Sequence, residues 1–426
     1  MITIHTKVNS DLLHTIPTTL LLSFNRELNL EELFFFDIET TGFSPATSYV
    51  YLIGCMYYEK DSFYITQWLL EDIQKENELL ELFREKIVNY KSIVHFNGSG
   101  FDVPFILKKC KHYGIRNPFS HMEHLDLYKE LLPFKRLLPT HNLKLQQVQQ
   151  LAGYKRKDTC TGADLIEIYT NFIGRNRYEK LAKATSKNVV STPPHIASRQ
   201  TAEELAGILL LHNYEDVEGL LPACSLLLYS KVFEDIPISS TSSSLSILPD
   251  DYIAVESTLP FTLPFPITYQ MPLHSYSGKG EDTKLHPYYY CNIHLSINTN
   301  TIKLILPMLC EELKYYYPNY KDYYYLPLED TAIHKSVAEY VDKEYRIKAK
   351  PSTCYTKKKG YFIPYLLSKK EDTYPLPTPM FYMDYGDKIG FYEIDINSVF
   401  DTSIYYDYIR EMIRKILRNK EVGVDG

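Results

Sequence analysis

Apolar residues concentrate densely in Leu33-Phe34-Phe35-Phe36, and the run continues through Asp37, Ile38 and Glu39. A short run this dense predicts a strand buried on both faces. Tyr49–Tyr58 and Ser62–Leu69 are two further strand-like runs, separated by the turn-forming Glu59-Lys60-Asp61. From Asn77 to Val88 the apolar positions 79, 80, 83, 87 and 88 follow helical spacing. Ser92–Phe96 predicts a short strand ending at Asn97-Gly98, and Phe101–Tyr113 returns to the helical pattern. Further helices are predicted at 125–132, 142–152, 163–173 and 202–218. The last has a clear start, because Thr201 followed three residues later by Glu204 fits a capping box.

The order β-β-β-α-β-α describes an α/β domain in which helices cover a mixed sheet. At 426 residues the chain is long enough for about two or three cores. Residues 1–30 read as a lead-in, 31–235 as the α/β domain, and 236–250 as a linker in which Ser239–Ser244 is all Ser or Thr. Residues 251–426 read as a Tyr-rich α+β region of unassigned fold ending in a helix at 402–419. No internal repeat is visible.

Two carboxylates interrupt the first strand. Asp37 and Glu39 stand two apart and project from one face. Burying two like charges costs several kcal/mol unless a cation joins them. A solvated strand end would explain an isolated pair. Asp102 follows the second buried strand, where a helix N-cap is its ordinary role. Asp216 shares a helical stripe with Leu205, Leu209, His212 and Leu220, which is otherwise apolar. Three acidic sites that each interrupt an apolar element suit a hard divalent cation. Two such ions about 4 Å apart clamp both oxygens of a phosphodiester displacement.

Phe36-Asp37-Ile38-Glu39-Thr40-Thr41-Gly42 resembles the first motif of the DEDD (DnaQ-like) 3′→5′ exonucleases. His95-Phe96-Asn97-Gly98-Ser99-Gly100-Phe101-Asp102-Val103-Pro104-Phe105 is similar to their second motif, as found in the proofreading domains of family B DNA polymerases. Gly153-Tyr154-Lys155-Arg156-Lys157-Asp158-Thr159-Cys160-Thr161-Gly162 and His212-Asn213-Tyr214-Glu215-Asp216-Val217 resemble the YprB-like bacterial branch. The resemblance covers about 200 residues. It implies an RNase H-like fold with a mixed five-stranded sheet flanked by helices. It also implies two Mg²⁺ or Mn²⁺ ions held by Asp37, Glu39, Asp102 and Asp216, and hydrolysis at single-stranded or frayed 3′ ends of DNA or RNA. Relatives place Tyr four residues, or His five residues, before the last Asp. Here His212 stands four before Asp216, which makes it the candidate general base in a departure from both patterns; Tyr214 lies on another side of the helix. Thr40, Asn97, Phe101 and Arg156 are the expected substrate contacts. His124 and Asp126 read as a structural strand end, or as support for the site.

Composition changes this picture little. Hydrophobic residues make up 45% and charged residues 23%, an ordinary globular balance, and a net charge of −7 argues against electrostatic coating of nucleic acid. Local charge differs. Residues 108–157 carry eleven Lys or Arg against Glu123, Asp126 and Glu130, a surface suited to steering phosphate or simply to solvation. Lys343–Lys370 mixes nine Lys or Arg and one acid with Tyr and Phe, which fits single-strand binding through Lys357, Lys358 and Lys359 or, more plainly, a charged turn. The seven scattered Cys form no C-x-x-C pair, and no apolar run reaches membrane-spanning length, so a reducing cytoplasmic setting without membrane contact is expected. Two other readings stay open: an inactive nuclease fold that binds nucleic acid or serves as a scaffold, and a structure-specific endonuclease. Protein partners are not legible.

Overall fold

The computed structural model describes residues 1–8, 29–135, 138–140, 142–184, 200–229, 243–274, 286–367, 379–395 and 402–418. The chain divides into two compact units, one of residues 1–135 and 139–231, the other of 136–138 and 232–426.

The first unit is built on strands β1 (Ile2–Lys7), β2 (Leu33–Thr40), β3 (Val50–Glu59), β4 (Ser62–Leu69), β5 (Ser92–His95) and β6 (Glu123–Asp126). Its longer helices are α1 (Glu76–Ile87), α2 (Asp102–Tyr113), α3 (Leu127–Leu131), α4 (Leu145–Leu151), α5 (Gly162–Ala184) and α6 (Ala202–Glu218). The sheet has six strands in the order β1-β4-β3-β2-β5-β6. β5 runs parallel to both β2 and β6, while the other pairs are antiparallel. The sheet is mixed and flanked by helices as expected, but it has six strands rather than five. Part of the expected lead-in is the sixth strand: Ile2–Lys7 pairs with β4 from Leu69 to Tyr64. Residues 9–28 of that lead-in lie outside the described residues. The helix expected at 125–132 begins as a strand, because Glu123–Asp126 pairs with β5 before α3 starts. Four residues are too few to display a period of two.

Alternation along β2 divides the core. Phe34, Phe36 and Ile38 pack with Phe83 of α1 and with Val103, Phe105 and Ile106 of α2. On the other side Tyr51 and Leu69 pack with Leu165, Tyr169 and Phe172 of α5 and with Leu205 and Leu209 of α6. Each such side chain contributes roughly 1.5–3 kcal/mol on burial. Helix α6 starts at the expected capping box, in which Thr201 accepts from the Glu204 amide and Glu204 accepts from the Thr201 amide.

The second unit contains β7 (Ser243–Leu248), β8 (Tyr252–Thr258), β9 (Ile267–Pro272), β10 (Asn292–Ile297), β11 (Thr301–Pro307), β12 (Leu309–Tyr316), β13 (Tyr323–Leu326), β14 (Thr331–His334), β15 (Ile347–Lys348), β16 (Tyr355–Leu366), β17 (Met380–Phe381) and β18 (Ile389–Ile394), followed by helix α7 (Thr402–Arg418). They form sheets in the orders β7-β8-β11-β10-β9, β12-β16-β18-β17 and β14-β13-β15. Of the expected linker, residues 236–242 lie outside the described residues. Ser243–Leu248 is instead an edge strand paired with β8, so polar composition there marks a sheet edge. Lys357-Lys358-Lys359 lies within the twelve-residue β16 and pairs in register with Lys314, Leu313 and Glu312, so it is no turn.

Candidate active site

Because Phe36 and Ile38 face α1 and α2, alternation points Asp37 and Glu39 to the opposite side, where α6 crosses the sheet. Close approach depends on Gly54, which pairs in register with Asp37. A Cβ there would stand 2.1 Å from Asn213 Oδ1. Asn213 uses this space to donate through Nδ2 to Asp37 Oδ2 at 3.1 Å, while accepting from Gln67 Nε2 at 2.9 Å.

One turn of α6 then carries His212 and Asp216 over the same carboxylates. Ligand atoms of Glu39, His212 and Asp216 lie within 4.8 Å of one another. His212 Nε2 is 3.7 Å from Glu39 Oε1 and 3.2 Å from Asp216 Oδ2. Asp102, at the first turn of α2, is buried, and its own amide and that of Ile38, between Asp37 and Glu39, only partly offset the cost of burying its charge. The Glu39 and Asp216 side chains keep 14% and 13% exposure, so the cluster opens to solvent.

The electrostatics are those of crowded acids. Burial holds the Asp37 carboxyl well above its usual range, reinforced by Asp216, Asp102 and Glu39. Burial pushes Glu39 up to about 8 against the opposing pull of His212. Burial likewise raises Asp102 to about 7, with smaller contributions from Asp126 and Asp216. For His212 burial works downward, but the hydrogen bond and charge of Asp216, with Glu39 and Asp158, carry it up to about 9.

The 153–162 segment supplies a cation. Arg156 pairs with Asp216, lies 3.3 Å from Asp158 Oδ2, and donates to Gln149 Oε1 at 2.8 Å. Its side chain, an expected substrate contact, is 9% exposed and is engaged with the acids of the cluster. Glu215, next to Asp216 in sequence, accepts the amides of Lys157 and Asp158 at 2.8 and 2.9 Å.

The other expected positions fall as follows. Thr40 Oγ1 donates to the Gly42 carbonyl. Asn97 adopts φ +56°, and its amide, with that of Ser99, donates to the Asp126 carboxylate. Asp126 therefore supports the loop that delivers Asp102, whereas His124 packs edge-on to His95. Phe101 is half-buried and meets Phe43 edge-to-face at 6.2 Å between centroids. Phe43 itself is 87% exposed, an aromatic that the motif reading passed over. Tyr214 donates to Glu218, away from the cluster. In the basic 108–157 stretch, Lys109 is buried against Glu76. In the second unit Lys357 pairs with Asp330 and Lys358 with Glu393 at 2.7 Å. The roles of Asn213, Asp158, Glu215 and Gln149 were missed. Asn213 carried the clearest signal, a polar residue that follows His212 at the end of the apolar run Ile208–Leu211.

This unit is an RNase H-like α/β domain with a carboxylate and imidazole cluster where β2 meets α6. Residues 34–190 match the family model of the RNase_H superfamily, a span that ends before α6. No curated protein matches the chain. Among solved structures, the family B DNA polymerase from the hyperthermophilic archaeon Pyrobaculum calidifontis is similar at 12% identity, over 60% of this chain and 38% of its own, with a TM-score of 0.32. A moderately thermophilic Exonuclease I from Methylocaldum szegediense is similar at 13% identity, over 65% of this chain and 64% of its own, with a TM-score of 0.20. The chain thus spans less than two thirds of either protein.

Proposed function

We propose that this protein is a metal-dependent nuclease, and specifically a 3′→5′ exonuclease of the DEDD type and YprB-like branch, acting on single-stranded or frayed ends. The observation that carries this reading is the meeting of Glu39, His212 and Asp216 within 4.8 Å, from elements distant in sequence. The donor set fits the expected metal. It is rich in carboxylate oxygen, and burial pushes Glu39 up to about 8, a state that a divalent cation would relieve. Asp37, Glu39, Asp102 and Asp216 would hold two Mg²⁺ or Mn²⁺ ions. Bound there, the ions supply charge neutralisation and an acidified water.

The protein's own residues do the rest. Asn213 fixes the Asp37 carboxylate, and the loop pinned by Asp126 sets Asp102. In the bare cluster Asp216, Glu39 and Asp158 hold His212 protonated; with the carboxylate charge neutralised, its Nε2 would be free to take the proton of the attacking water. Thr40, Asn97 and Phe101 receive the terminal nucleotide. Seven unbridged thiols suit a reducing, cytoplasmic setting, and no helix among the described residues is long and apolar enough to cross a membrane.

Oligonucleotides of DNA and of RNA, labelled at either end and incubated with Mn²⁺, Mg²⁺ or EDTA, test this reading. A metal-dependent ladder of 5′-labelled products shortening from the 3′ end is expected. Internal cuts would establish the endonuclease reading instead. Binding without cleavage under any metal would mark an inactive nuclease fold.

A further inference from the structure

His212 is held at both ring nitrogens, and the partner at Nδ1 has no counterpart in the metal-site reading above. Asp158 Oδ2 lies 2.6 Å from Nδ1. The carboxylate is itself fixed: Oδ1 accepts from the Cys160 amide at 3.2 Å, and Arg156 Nη2 lies 3.3 Å from Oδ2. The backbone that carries it is fastened to α6 by Glu215, which accepts from the Lys157 and Asp158 amides. The Asp158 side chain is 3% exposed, so solvent does not compete for the imidazole.

We propose that Asp158 is the positioning residue for His212, holding the ring so that Nδ1 keeps its proton and Nε2 faces the carboxylate cluster. This deepens, and rests on, the reading of His212 as the base. A carboxylate can only accept, so its place at Nδ1 keeps that nitrogen the donor and leaves Nε2 directed at the carboxylate cluster. It also fixes the ring plane, as outer carboxylates do for histidines at metal sites. Arg156 joins Asp158 to Asp216, so one guanidinium ties the positioning group to the carboxylate cluster.

Two readouts test this. In metal-free protein carrying ¹⁵N-histidine, held above pH 9 so that the ring is neutral, the ¹⁵N shifts of His212 should report the Nδ1–H tautomer in the wild type and lose that preference in Asp158→Ala. In Mn²⁺-supported cleavage, Asp158→Ala should lower kcat by roughly 10–100-fold. KM for the oligonucleotide and Mn²⁺ binding by electron paramagnetic resonance should be unchanged. Asp158→Asn keeps the side-chain shape and an oxygen that accepts from Nδ1–H, so it should recover part of kcat and guards against misfolding of the Ala variant. Combined with His212→Ala, Asp158→Ala should cost nothing further. An Nδ1–H signal that survives in Asp158→Ala, a kcat unchanged where His212→Ala is impaired, or additive losses in the double variant would each overturn the proposal. If His212→Ala itself cleaves normally, the base reading fails, and the resonance still decides whether Asp158 holds the ring.

Discussion

His212 is the side chain on which the proposed chemistry turns. Its Nε2 lies beside Asp216 and Glu39, and the imidazole can be removed without touching the four carboxylates. His212→Ala is expected to retain Mn²⁺ and oligonucleotide binding while turnover falls by roughly 10²–10⁴-fold, measured by single-turnover cleavage. His212→Tyr places at this spacing the residue type that the resembled family uses, and should keep more activity than Ala. Cleavage by His212→Ala at close to the wild-type rate would leave the imidazole a packing role. The spacing of His212 and Asp216 was legible because four residues make one turn of a helix. That Asp158 and Asn213 complete the surroundings was not, since Asp158 stands 54 residues away from its partner and Asn213 is 176 from Asp37.

At the scale of elements, the site exists because α6 lies close to β3. Gly54 is the space that permits it, and Gly54→Ala would drive a methyl group into Asn213. The substitution should destabilise by about 1–3 kcal/mol in urea unfolding, as overpacking does. It should also weaken Mn²⁺ binding through the displaced Asp37 partner; unchanged stability and binding would show that α6 yields freely. Strand β16 gives a second expectation. Lys357 and Lys358 are engaged with Asp330 and Glu393, which leaves Lys359 as the candidate phosphate contact of the three. Neutralising all three should then lower the salt slope of single-strand binding by no more than ~0.7, the value for one contact. A drop near 2 would mean that the acids release their lysines to the strand. Element boundaries were legible where the pattern was long, as in β4 and α6, and failed at β6 and β7. There four residues, or a run of serines, carry too little periodicity to outweigh local composition.

Over the whole molecule, the buried acids of the cluster make stability depend on pH. Asp102 and Glu39, raised to about 7 and about 8, bind protons more readily folded than unfolded, so their contribution falls as pH rises from the ordinary carboxylate range through those values. His212, raised to about 9, contributes fully below its ordinary value and loses that contribution as pH passes 9. Glu71, held down near 2 by Lys180 and the N-terminal amine, acts oppositely but only in acid. The metal-free protein should therefore melt at progressively lower temperature between about pH 5 and pH 9, by calorimetry, and Mn²⁺ should reverse the trend. A melting temperature that rises over this interval without metal would contradict the buried-cluster electrostatics.

By itself the sequence determined the buried strand with its two acids, the capped helix that answers it, and the motif resemblance linking them. These are local patterns, written in periods of two and 3.6 residues and in fixed spacings. Tertiary structure alone decided the sixth strand, the inward turn of Arg156, the clasp of Asp158 on His212 and the pairing of the β16 lysines. Each depends on which residues meet across long separations, and one-dimensional spacing does not encode a hydrogen bond or ion pair between segments that only folding brings together.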